Sequence, residues 1–109
     1  MNDTKEITEA LLKFRDERVW KQFHTAKDLA LALNIEAGEL LEAFLWKTSE
    51  QADNDKVKEE LADVFTFAFL LAEKYDFDVK QIVLEKMEKN ALKYPVAKSR
   101  GSAKKYTDL

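Results

Sequence analysis

Turn formers are almost missing from this chain. Its glycines are Gly38 and Gly101 and its proline is Pro95, so nothing rigid breaks the backbone before residue 95. A strand-rich domain needs turn signals roughly every 8–12 residues, whereas a helical one needs only a few. The scarcity therefore points to an all-α fold of long helices. At 109 residues there is room for one domain, taken here as 1–95, with 96–109 as a tail. Hydrophobic residues at 46% and charged residues at 36% argue against disorder.

Periodicity places four helices. The first runs from about Thr4 to Arg18, with Ile7, Leu11, Leu12 and Phe14 as its apolar stripe. An aromatic bend follows over Val19 to His24. The second starts after Thr25, a suitable N-cap, and reaches about Lys47, with Leu29, Leu33, Leu40 and Phe44 at helical spacing. Gly38 lies inside it, where glycine costs roughly 1 kcal/mol relative to alanine unless close packing offsets the loss. After the polar turn Thr48 to Asn54, the third helix spans about Asp55 to Lys74. The fourth follows Asp78, a good N-cap, and ends near Tyr94 because Pro95 cannot continue it.

The third helix has almost no polar side from Val64 to Ala72, and a helix apolar all round should be buried all round. In so small a domain one face can meet the chain's own helices and the other a second subunit; the alternative is a fully central helix in a monomer. Phe65 and Phe69 fall opposite the acidic side and are the residues a partner would cover. The stretch is too short to span a bilayer. The N-terminus lacks a basic segment followed by an apolar core, so it does not read as a signal peptide. With no cysteine there is no disulfide framework, which is compatible with the cytoplasm. A net charge of -3 gives no field suited to a nucleic-acid polymer.

The chemistry sits in two acidic pairs. Glu36 and Glu39 are three apart on the second helix, and Glu60 and Asp63 three apart on the third, so each pair shares a face. At roughly 100° per residue, Glu36 and Glu39 lie on the arc of Leu29, Ala32, Leu40 and Ala43. Glu60 and Asp63 lie with Val57, Val64, Phe67, Leu70 and Leu71. Glu42 and Glu59 fall further round as ordinary surface acids. Spacing alone is weak, since Glu6/Glu9 and Glu85/Glu88 repeat it, and solvated acidic faces are the plain alternative. The apolar arcs tip the balance, because buried like charges need cations. Carboxylate oxygens suit Mg²⁺, or Mn²⁺, and Mg²⁺ commonly shares its shell with water and substrate phosphates. A di-iron site would need Glu-x-x-His motifs, and the one histidine, His24, lies outside any.

Other polar and aromatic residues admit two uses. Lys86 and Asn90 share an arc of the fourth helix with Val79, Ile82, Met87 and Tyr94. They can meet phosphate, sugar or base, or simply snorkel and end a helix. Trp20, Phe23 and Trp46 can stack on a base or pack a core.

The pattern Glu36-Ala-Gly-Glu39 followed by Glu60-Leu-Ala-Asp63 resembles the MazG-like all-α nucleoside triphosphate pyrophosphohydrolases. The strings ERVWKQFH, LALNIEAGELLEAFLWKT, EELADV, KMEKNALKYP and KKYTDL are similar to their dCTP pyrophosphatase branch. The resemblance implies a four-helix bundle of the MazG-like type, assembled as a dimer or tetramer. It implies Mg²⁺-dependent hydrolysis of dCTP or a related pyrimidine nucleotide to the monophosphate and pyrophosphate, in nucleotide-pool cleaning. It implies metal binding by Glu36, Glu39, Glu60 and Asp63, with Glu39 or Glu36 as proton acceptor. Substrate contacts would come from Trp20, Trp46, Lys86, Asn90 and Tyr94. Leu11 and Phe67 stand where vertebrate members of the branch carry His and Tyr, which weakens the case for strict dCTP preference. From other classes, a non-catalytic helical adaptor or a nucleotide sensor remains the alternative. The tail, with Lys98, Arg100, Lys104 and Lys105, can serve as a basic lid or as a solvated end.

Overall fold

The computed structural model describes residues 3–109, so Met1 and Asn2 of the expected 1–95 domain lie outside the described residues. The fold is all-α. Its main helices are α1 (Asp3–Glu17), α2 (Ala26–Glu42), α3 (Asn54–Lys74) and α4 (Val79–Lys93), followed by one turn of helix, α5 (Val96–Ser99). The chain separates into two units, one ending at Phe77 and the other running from Asp78 to Leu109.

Local chemistry starts the helices where the sequence suggests. The Thr25 hydroxyl accepts the Asp28 N–H at 3.1 Å, and Asp78 accepts the Gln81 N–H at 3.0 Å. Such caps each contribute about 1 kcal/mol. Asp53 caps α3 by accepting the Asp55 N–H. The polar turn between α2 and α3 is closed by a capping box, in which the Thr48 N–H donates to Gln51 Oε1 at 2.8 Å.

The helix ends differ more from expectation. α2 stops at Glu42 rather than near Lys47. From Ala43 the N–H groups bond three residues back, to Leu40, Leu41, Glu42 and then Phe44, and Trp46 turns left-handed at φ 61°. The apolar period continues through Phe44, but the backbone has already tightened into turns. α1 ends in a Schellman arrangement. The Trp20 N–H reaches back to the Arg15 carbonyl and the Val19 N–H to the Asp16 carbonyl, both at 3.1 Å, with Val19 left-handed at φ 56°. α3 ends the same way, with Phe77 bonded to Ala72, Asp76 to Glu73, and Asp76 at φ 54°.

In the first unit α2 lies along α3, and α1 packs on α3 as well. Leu29 is 1% exposed, and Ala43, Phe69, Leu70 and Ala72 are buried with it. Removing a leucine side chain from water is worth about 1.5–3 kcal/mol. Arg15 is also buried; its Nε donates to Asp16 at 2.9 Å and its guanidinium lies 3.7 Å from Glu73, so the charge is not left alone in the core. Phe69 corrects the expectation of a free phenylalanine face. It is buried within the chain, beside a groove shared by Ile7 and Leu11 of α1, whereas Phe65 is 54% exposed. Leu31 and Ile35 are exposed along one side of α2, and Leu45 is exposed just past its end. Gly38 lies on that side by helical spacing, and a Cβ there would meet nothing within 4 Å, so packing inside the chain does not account for it.

In the second unit, Ile82, Val83, Lys86, Met87 and Asn90 line an open groove on α4. Tyr106 meets Tyr94 edge to face at 5.9 Å, and Lys93 Nζ lies 4.9 Å from the Tyr106 ring centre. The last residues are thus tied back to the end of α4. Among the described residues, no helix is long and apolar enough to cross a membrane.

Candidate metal centre

The facing sides of α2 and α3 bring carboxylates together. Glu36, Glu60 and Asp63 each offer an oxygen, and these oxygens lie within 4.8 Å of one another. Glu60 is buried, Glu36 and Glu39 are half-buried and Asp63 is exposed, so three of the four lie on packed surface and Asp63 at its edge. Glu42 and Glu59 are exposed, as their wheel positions require.

Two features give this cluster the chemistry to hold a cation. Glu36 Oε2 and Glu60 Oε2 are buried without a hydrogen-bond partner. Buried acceptors left bare cost about 1–3 kcal/mol each, more when charged. The Glu36 carboxyl is pushed from 4.5 up to about 7, first by burial, then by its hydrogen bond with Glu39, then by the negative charges of Glu39, Asp63 and Glu60. That repulsion places Glu39 within the same electrostatic group. The only internal relief is Lys56, whose Nζ lies 3.3 Å from Glu60 Oε1 across one helical turn, among the described residues. Lys56 was not singled out from the sequence, although its spacing of four before Glu60 is the signal for such a pair. An all-oxygen donor set with bare buried oxygens fits Mg²⁺ or Mn²⁺.

The remaining candidates are distributed. Trp20 follows the end of α1 and is half-exposed; its ring meets Phe14 edge to face at 5.9 Å. Arg18 lies over Phe14, 3.6 Å from the ring centre, and donates to the Phe14 carbonyl at 3.0 Å. Trp46, past the end of α2, is 100% exposed. Lys86 and Asn90 share the α4 groove, and Tyr94 holds Tyr106; these three belong to the second unit, whereas the carboxylates belong wholly to the first. His24 is half-buried with Nδ1 unpartnered; burial, then the nearby Arg15 and Lys74 charges, lower its pKa. Phe67 is half-buried on α3, and Leu11 lines the groove between α1 and α3.

Comparison with known proteins gives a consistent picture. The MazG-like family model matches residues 31–109. The dCTP pyrophosphatase 1 of Bos taurus is 44% identical over 105 residues, covering 89% of this chain and 62% of that protein. The Homo sapiens dCTP pyrophosphatase 1 is 39% identical with the same coverage. The chain thus spans 62% of the length of these curated relatives. A crystal structure of a pyrophosphatase from Archaeoglobus fulgidus superposes with a TM-score of 0.81 at 36% identity, covering 87% of this chain and 94% of that one.

Proposed function

The chain belongs to the MazG-like family, and from that premise we propose that it hydrolyses a nucleoside triphosphate to the monophosphate and pyrophosphate. The observation that carries this is the carboxylate cluster, with three oxygens within 4.8 Å and bare buried oxygens on Glu36 and Glu60. The names of the similar proteins favour dCTP or a related pyrimidine nucleotide as substrate, in a pool-cleaning role.

Glu36, Glu39, Glu60 and Asp63 would hold Mg²⁺, which when bound supplies Lewis acidity and neutralises phosphate charge. Glu39 or Glu36 takes the proton from the attacking water, whichever carboxylate is less committed to the cation. Trp20 and Trp46 stack on the base, Lys86 meets phosphate, and Asn90 and Tyr94 contact the nucleotide. Residues 1–95 form the catalytic domain, and the tail 96–109 adds Lys98, Arg100, Lys104 and Lys105 to phosphate binding. The protein acts in the cytoplasm, with no nucleic-acid polymer as partner.

The exposed apolar side of α2 and the exposed Phe65 support self-association as a dimer or tetramer. The same surface would serve a non-catalytic adaptor, and a nucleotide sensor would keep the cluster without turnover. Pyrophosphate release across a panel of nucleoside triphosphates, in Mg²⁺ and in EDTA, decides among them. Release should require the metal and should fall strongly in Glu36→Gln, Glu39→Gln, Glu60→Gln and Asp63→Asn, but little in Glu42→Gln or Glu59→Gln. Undiminished turnover in EDTA, or equal losses at all six positions, would remove the four-carboxylate centre.

A further inference from the structure

The connector after α1 holds a β-branched residue in a conformation that normally belongs to glycine. Val19 sits at φ 56°, at the position of a Schellman cap where glycine is favoured because it has no Cβ to clash. For valine that backbone is a true outlier, and such strain persists only where the surroundings over-determine it. The equivalent position after α3 is Asp76, a residue type that tolerates the left-handed region. The Val19 side chain is 67% exposed, so burial does not explain why valine stands there.

What the strained turn does is aim the next residue. The Trp20 backbone N–H bonds to the Arg15 carbonyl, its ring and that of Phe14 meet edge to face, and Arg18 covers the Phe14 face while bonding to the Phe14 carbonyl. A ring so held, yet 43% exposed, is presented rather than packed away. We propose that Val19 and Phe14 are positioning residues for Trp20: the stiff left-handed turn and the aromatic edge contact fix the indole in the orientation that receives the base. This rests on the base-stacking role of Trp20 proposed above. A glycine at position 19 would relieve the backbone yet let the turn wander, which costs orientation without costing stability.

The test uses the Trp46→Phe protein, in which Trp20 is the sole indole because the chain has two tryptophans. Time-resolved anisotropy reads the mobility of Trp20, thermal melting reads the fold, and steady-state kinetics with dCTP and Mg²⁺ read KM and kcat. Val19→Gly should keep or raise the melting temperature while freeing the indole and raising KM about threefold to tenfold with kcat little changed. Phe14→Leu should free the indole and raise KM likewise, and Phe14→Tyr should restore both. An indole no freer in Val19→Gly, or a freer indole with the parent KM, overturns the proposal. Trp20→Leu separates the two levels. If it raises KM while Val19→Gly and Phe14→Leu do not, Trp20 keeps its role and the positioning fails; if it leaves KM unchanged, the base-stacking role fails and the positioning with it.

Discussion

At Glu36 burial and like charge act in the same direction. Its carboxyl is pushed up to about 7 in the folded chain against an ordinary 4.5, because partial burial disfavours its charged form and Glu39, Asp63 and Glu60 are close. A folded pKa raised in this way stabilises the fold below pH 4.5, and that contribution is lost as the pH rises through about 7. The melting temperature in EDTA should therefore fall between those limits, and Glu36→Gln should flatten the slope and melt higher than the parent above neutrality. Calorimetry across that range is the check; a parent protein with a flat profile would mean that Glu36 is not strained. Much of this was legible from residue order, because Leu29, Ala43 and Leu70, all buried, set the packed side on which Glu36, Glu39 and Glu60 fall. Asp63 joins the cluster as its spacing from Glu60 implies, but its exposure was not legible, since a wheel gives the direction of a side chain but not where the neighbouring helix stops covering it. The bare oxygens were also beyond reach, because they depend on which hydrogen bonds two helices fail to supply.

Helix starts were easier to foresee than helix ends. Thr25 and Asp78 act through their own side chains on N–H groups three residues away, so the information is local. The end of α2 instead reflects a switch to three-residue hydrogen bonds while the apolar period runs on through Phe44, and periodicity is blind to that switch. The doubly apolar stretch of α3 resolved unevenly, Phe69 going into the chain's own core and Phe65 staying out. Phe65→Asp is therefore the variant that tests association without emptying the core. It should shift light scattering toward the monomer with the helical circular dichroism retained, and a parent that is already monodisperse monomer would exclude the dimer or tetramer. Gly38 offers an independent check on α2. In a free helix Gly38→Ala should stabilise by about 0.5–1 kcal/mol, whereas loss of assembly with that gain would mean a second copy approaches the backbone there.

Across the whole chain, charge is divided unevenly. Residues 78–109 carry eight Lys and Arg against four Asp and Glu, while the rest carries ten against seventeen. The net of -3 conceals an acidic first unit and a basic second one. Deleting residues 97–109 removes Lys98, Arg100, Lys104 and Lys105 together with the Tyr106 ring that braces Tyr94. The truncated chain should bind dCTP more weakly, seen as a raised Michaelis constant, and should lose about 0.5–1.5 kcal/mol of stability with the aromatic pair. Unchanged kinetics would make the tail dispensable.

The acidic cluster also has a consequence for the order of events. On the proposed function, a nucleotide would arrive carrying several negative charges, and Glu36 with its acidic neighbours Glu39, Asp63 and Glu60 would repel it until a cation had discharged them. The protein should thus behave as a lock that turns only for the cation–nucleotide pair, or for the cation first. Titration calorimetry with a non-hydrolysable dCTP analogue should give no measurable heat of binding in EDTA and a clear isotherm once Mg²⁺ is present. Glu36→Gln, by removing one repelling charge, should be the variant in which the bare nucleotide first begins to bind.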